Sequence, residues 1–196
     1  MPSTPTDAHA APEMHAFAGS TAQAQLISPR WIATVAPSGT VLSEHSVVLR
    51  GGCIEAVLPT AEARQTHPGA PETVLDEHLL TPGLVNAHTH AAMALLRGAA
   101  DGLPLERWLA ERIGPLEAAL VSSDFVFDGT VMACAEMLLG GTTTFNDMYF
   151  FPDAAARATV AMGMRGVMGL IVIDFPTAWA GSPEAYFEKG LALRDA

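Results

Sequence analysis

Two histidines set two residues apart, His88 and His90, close the segment Thr81–His90, which reads TPGLVNAHTH. Within it, Gly83–Ala87 (GLVNA) has the composition of a buried β-strand introduced by Pro82. Side chains two apart on a strand point to the same face, so both imidazoles should project together from its carboxyl end. Two imidazoles on one face can chelate a borderline-soft divalent metal, Zn²⁺ or Fe²⁺. In α/β barrels that end of the strand is where chemistry is built. A His-x-His pair also belongs to cupin jelly rolls, but that motif wants a Glu a few residues on. The next Glu here is Glu106, in a stretch that reads as helix rather than hairpin.

Other reactive residue types have ordinary structural explanations. Asp147, after the run TTTFN, would sit at the same end of a second strand, and Asp174 after a third, yet capping of a loop or helix suits both. Trp108 and Trp179 read as packing residues. Met132, Met137 and Met162 fall at helix-like spacing and read as core. Ser122 and Ser123 lack the GxSxG setting of a serine nucleophile. Cys53 and Cys134 form no CxxC, which suits two reduced thiols in a cytoplasmic protein rather than a disulfide or thiolate-zinc site. Lys189 is the one lysine and has no phosphate loop around it.

The elements that must hold these groups divide into two grammars. Residues 1–22 are rich in Pro, Ala, Ser and Thr and read as a flexible tail. Residues 23–80 carry short β-like runs: Gln25–Val35, Ser46–Leu49, Cys53–Leu58 and a brief one at Thr73–Leu75. Gly51-Gly52 joins the second and third as a hairpin. From 81 to 196 the pattern alternates. Strands are expected at Gly83–Ala87, Thr142–Asn146 and Val167–Ile173. Helices are expected at Leu105–Ile113, from Ser122 or Ser123 to Leu139, from Pro152 to Gly163, and from Pro183 onward. Nearly all-apolar strands alternating with helices imply a parallel sheet covered by helices.

Composition narrows the function classes. The 196 residues carry 10 Lys+Arg against 21 Asp+Glu, a net charge of −11, with 49% apolar residues. That is globular composition. An acidic surface repels phosphate backbones and anionic lipids, so neither a nucleic acid nor a membrane is an expected partner. The first basic residue is Arg30, so no secretory or transit signal is expected.

The stretch LLTPGLVNAHTHAAMALLRGAADGLPLERWL resembles the amidohydrolase superfamily. The likeness is to its branch of methylthioadenosine/S-adenosylhomocysteine deaminases and chlorohydrolase-like relatives. GGTTTFNDMYFFP (Gly140–Pro152) and AMGMRGVMG (Ala161–Gly169) extend it, and it runs from about Ala24 to the end. The resemblance implies an α/β fold: the start of a metal-dependent (β/α)8 TIM barrel, about three of eight strands, preceded by strands of a small β-sandwich. It implies that His88 and His90 are the first-strand metal ligands and that Glu117 contacts the ribose hydroxyls of a nucleoside. A carboxylate can accept two such hydrogen bonds. The implied reaction is hydrolytic deamination of an adenosine-type nucleoside, with a divalent metal, Zn before Fe, activating water. Triazine, guanine or cytosine aminohydrolases and chlorohydrolases are the alternatives within the superfamily.

Two departures bear on this. Members of the nucleoside branch often carry an Arg near the end of the third strand, and Gly169–Val172 (GLIV) has none. A complete barrel takes roughly 250 residues, more than the whole chain. The family's later ligands and its proton-shuttling Glu and His should lie on later strands, and no His follows His90. No catalytic proton-transfer residue is therefore expected within this chain. Truncated, it should be inactive alone, with an unpaired edge on its third strand. A homo-oligomer or a complementary chain would be its protein partner, and a non-catalytic remnant is the other reading.

Overall fold

Pro29 lies inside the first strand, β1 (Gln25–Ala33), where a missing N–H is tolerated because the ladder to its neighbour slips between Pro29 and Trp31. This is the computed structural model of the chain, and it describes residues 22–99 and 102–195. The expected tail falls outside the described residues except for Ala22. The chain divides between Pro82 and Gly83 into two compact units.

In the first unit β1 pairs antiparallel with β2 (Val41–Ser43) and β3 (His45–Arg50), and β3 with β4 (Cys53–Pro59). The Gly51-Gly52 turn has positive φ at both residues, as a tight hairpin of right-handed strands requires. The brief run expected at Thr73–Leu75 is instead a nine-residue strand, β5 (Glu72–Leu80), parallel to β1. Its charged residues hide it from a hydrophobicity reading; Glu72 is fixed by Arg64 and Ser28. A short helix, α1 (Thr60–Thr66), buries Ala63 against Leu26 and Val48.

The second unit holds a parallel sheet of β6 (Leu84–Thr89), β7 (Thr142–Met148) and β8 (Arg165–Gly169), in that order. A 3₁₀ turn (Ala91–Leu96) follows β6. Then come α2 (Leu105–Trp108), a π turn (Leu109–Ile113), α3 (Gly114–Leu120) and α4 (Ser123–Leu139). Helix α5 (Pro152–Ala161) links β7 to β8, and α6 (Pro183–Arg194) closes the unit. Ser122 caps α4 by accepting from the Phe125 N–H. Gly141 ends it at φ +82°. No single helix among the described residues is long and apolar enough to cross a membrane.

Several expectations shift. The third strand stops at Gly169, not Ile173, because its last partner, Met148, is the last residue of β7. Leu170–Ile173 leave the sheet, and Ile171 packs instead with Trp179 and Tyr186. The helix expected to end at Ile113 continues to Leu120. Pro115 has no N–H to give the carbonyl four residues back; the chain accommodates it by widening, with the Gly114 N–H bonding Leu109 five residues back. Met137 and Met162 pack on the core, but Met132 is 40% exposed and does not.

Among the described residues, the sheet is covered on one face. Phe145 is fully buried under Ala133, Cys134 and Met164. On the opposite face Val85, Met148 and Val167 lie exposed, so the strands are not buried on both sides as their composition led one to expect. Helix α4 meets the 3₁₀ turn closely at Gly129. A Cβ there would stand 2.5 Å from the Ala92 carbonyl oxygen and 2.9 Å from its Cα. Backbone cannot swing aside as a side chain can. Gly129→Ala should therefore lower stability by about 1–3 kcal/mol, overriding the helix propensity it gains, which is under about 1 kcal/mol. Chemical denaturation checks this; an unchanged midpoint would contradict the close contact.

Candidate functional site

An extra residue in β6 aims the two histidines. Asn86 pairs with Phe145 and Thr89 with Asp147, so three steps on β6 match two on β7. In a regular strand Val85 and His88 would face opposite ways. The bulge reverses the phase after Asn86, placing Thr89 beside buried Asp147 and turning His88 and His90 to the open face with Val85. Both side-chain amides nearby satisfy the peptide groups that the bulge frees. The His88 N–H donates to Asn86 Oδ1 at 3.2 Å, and Asn146 Nδ2 donates to the Ala87 carbonyl at 3.2 Å.

The imidazole rings lie edge to face with centroids 5.2 Å apart. His90 Nδ1 is 2.5 Å from the Met148 carbonyl oxygen. A carbonyl only accepts, so Nδ1 carries the proton and Nε2 presents a free lone pair. That is the tautomer a metal ligand needs, held as metal-binding histidines are commonly held. His88 and His90 therefore fit two places in a divalent-metal site. Among the described residues, no third His, Cys, Asp or Glu joins them in a group able to hold an ion.

Three consecutive residues at the end of β7 organise this region. Asp147 is 2% exposed, and its Oδ1 accepts from the Ala91 N–H at 2.7 Å, capping the turn that follows His90. Burial pushes its carboxyl above the usual range, against the pull of that hydrogen bond and of His90. Met148 supplies the carbonyl that holds His90. Tyr149, 6% exposed, donates its hydroxyl to Glu117 Oε1 at 2.7 Å, and its ring centroid is 6.4 Å from that of His90. Burial and the Glu117 carboxylate hold the phenol protonated, a fixed donor. Glu117, on α3, is half-buried and thus joined to the histidines through Tyr149.

Of the weaker sequence candidates, Asp147 is a capping carboxylate, Asp174 is exposed, and Trp179 packs with Tyr186. Burial pushes the Cys134 thiol up to about 11, away from thiolate chemistry. Sequence reasoning missed Tyr149, Asn86 and Asn146. The two Asn residues, each inside a strand shortly before its carboxyl end, were the available signal.

Asp147→Ala leaves a buried N–H without its acceptor and should cost about 1–3 kcal/mol. Asp147→Asn keeps an acceptor without a buried charge and should recover most of that. Thermal or chemical unfolding of both variants decides; equal losses would mean that the charge, not the cap, matters.

A family model, the amidohydrolase family, matches residues 79–196. The chain is 46% identical over 170 residues to the 5-methylthioadenosine/S-adenosylhomocysteine deaminase of Saccharophagus degradans, covering 87% of this chain and 38% of that relative. Among solved structures, an adenosine deaminase from Xanthomonas campestris with bound zinc superposes with a TM-score of 0.85 and 47% identity, over 87% of this chain and 39% of that one. A guanine deaminase from Bradyrhizobium japonicum shares the fold, with a TM-score of 0.75 at 21% identity, 88% of this chain and 41% of that one. The chain thus spans about two fifths of the length of the relatives it matches, and with residues 79–196 matched it belongs to the amidohydrolase family.

Proposed function

We propose that residues 81–196 open a (β/α)8 barrel whose complete form is a zinc-dependent hydrolase removing the exocyclic amine of an adenosine-type nucleoside. The observation that carries this is the single chain of contacts from His88 and His90 through Tyr149 to Glu117. It offers a metal seat at one end and a hydroxyl-binding carboxylate at the other. The likeness to deaminases at 46–47% identity supports the same reading.

In this account His88 and His90 would hold the ion, His90 with the Nε2 that its Nδ1 hydrogen bond to the Met148 carbonyl leaves free. A divalent ion bound there would supply Lewis-acid activation of water. Glu117 accepts hydrogen bonds from the two ribose hydroxyls and places the base over the histidines. Tyr149 fixes Glu117 Oε1, so the carboxylate is oriented before substrate arrives. Proton transfer to the leaving ammonia falls to residues outside these 196. The exposed Val85, Met148 and Val167 support further strands completing the barrel, from the same polypeptide or a complementary chain. The two unpaired thiols suit a cytoplasmic setting.

The 196 residues alone supply two protein ligands, where mononuclear catalytic zinc sites typically have three or more, so purified alone they should not deaminate nucleosides. In the protein produced from its natural locus, His88→Ala should lower kcat/KM by at least about 100-fold, since even outer-shell changes cost 10–100-fold. Glu117→Gln should lower kcat/KM about tenfold or more for ribosylated substrates, the scale of one charged hydrogen bond, and spare the free base. Equal losses on nucleoside and base would remove the ribose role. Full activity without His88 would remove the metal seat.

A further inference from the structure

Residues 170–182 run from β8 to α6 without helix or strand. The strands are parallel, so this loop starts at the end of the sheet where His88 closes β6. Phe175, Pro176, Thr177 and Ala178 line a cavity of about 840 Å³ that Glu117 also lines. A loop of that length with no ladder of its own is mobile unless something else holds it. Here two bonds lie within the loop: the Thr177 N–H donates to the Ala180 carbonyl at 2.9 Å, and the Trp179 N–H to Thr177 Oγ1 at 3.2 Å. The others come from α6. Thr177 Oγ1 and the Tyr186 hydroxyl share a hydrogen bond at 2.6 Å. Lys189 Nζ donates to the Trp179 carbonyl and lies 5.9 Å from the centroid of the Trp179 ring. Tyr186 is 1% exposed, and its ring centroid is 5.3 Å from that of Trp179. Residues three apart are neighbours on a helix surface, so both side chains meet the loop from one face of α6.

We infer that α6 is a clasp, and that Tyr186 and Lys189 are positioning residues that hold the loop as a fixed wall opposite Glu117, raising affinity for the nucleoside without touching it. The inference rests on the nucleoside reading above and adds to it the groups that keep its site in shape. Neither Tyr186 nor Lys189 lines the cavity. Tyr186 is buried with Ile171 and Trp179, and Phe150, which does line the cavity, packs against the same cluster. Phe150 follows Tyr149, the donor to Glu117. The carboxylate and the wall that faces it are therefore anchored through adjacent residues. Ordering a loop at the moment of binding costs affinity, and a loop held beforehand avoids that cost. The two clasp residues act on the same short stretch, one on the Thr177 side chain and one on the Trp179 carbonyl, so loss of either frees it.

The test compares Tyr186→Phe, Lys189→Met and Lys189→Arg in the protein produced from its natural locus, with adenosine as the probe. Tyr186→Phe keeps the ring on Trp179 and removes one hydrogen bond. Lys189→Met keeps the stem and removes the ammonium. Each should raise KM about fivefold, the scale of one hydrogen bond, with kcat changed by less than about twofold. Lys189→Arg restores a cationic donor and should recover most of the affinity. Amide hydrogen exchange at Thr177 and Trp179 should quicken by about the same factor in Tyr186→Phe and Lys189→Met, while exchange in α4 stays as it was. Faster exchange with an unchanged KM would overturn the inference, because the loop would then be freed without consequence for substrate. A fall in kcat matching the rise in KM, or exchange quickened throughout, would also overturn it, by showing a general structural defect. Glu117→Gln, measured alongside, separates the two claims. If it weakens adenosine and the clasp variants do not, the nucleoside reading stands and the clasp falls. Adenosine neither bound nor turned over by the unsubstituted protein would remove both. Lys189 is exposed, so Lys189→Met decides the matter if Tyr186→Phe fails to fold.

Discussion

The bulge between Asn86 and Thr89 is the constraint on which the rest depends. A period-two strand cannot place Val85 and His88 on one face. One extra residue does so, and the ladder must then be repaired around it. The repair is specific: two asparagine amides take up the freed backbone groups, and three successive residues at the end of β7 hold the histidine and the turn beyond it. Asp147 ties down the turn after His90, Met148 sets its tautomer, and Tyr149 extends the order to Glu117 on a separate helix. All of these but the His88–Asn86 bond join distant parts of the chain, and together they set the spacing between the paired histidines and the Glu117 carboxylate.

That arrangement explains why α4 cannot be moved. Its Gly129 lets the helix touch the backbone of the 3₁₀ turn, and the turn begins at the residue after His90. The same helix buries Cys134 and Ala133 over Phe145. Core packing on the covered face and chemistry on the open face thus share one strand. The open face carries exposed apolar side chains beside exposed polar ones, such as Val167 next to Asn146.

Much of this was legible in the residues. The His-x-His pair after an apolar strand, a serine cap at Ser122 or Ser123 and the Gly140-Gly141 stop read directly, because each rests on local chemistry; the structure picks Ser122. The second strand's placement read nearly as well. Register could not be read. Neither the bulge nor the end of β8 at Gly169 is visible in composition, because both are decided by pairing with the neighbouring strand. The continuation of the helix to Leu120 was hidden by Pro115, which ordinarily ends a helix and here is absorbed by a π turn. Tyr149 lies in an aromatic run, Tyr149–Phe151, and only the fold shows which of the three reaches Glu117.

The most direct measurement is the nitrogen spectrum of the histidine rings in the ¹⁵N-labelled protein, taken before and after zinc is added. The account predicts that His90 is protonated at Nδ1 without metal and that zinc shifts Nε2 of both His88 and His90. A His90 proton on Nε2, or rings that zinc leaves unchanged, would contradict the claim that the bulge and the Met148 carbonyl together build a metal seat.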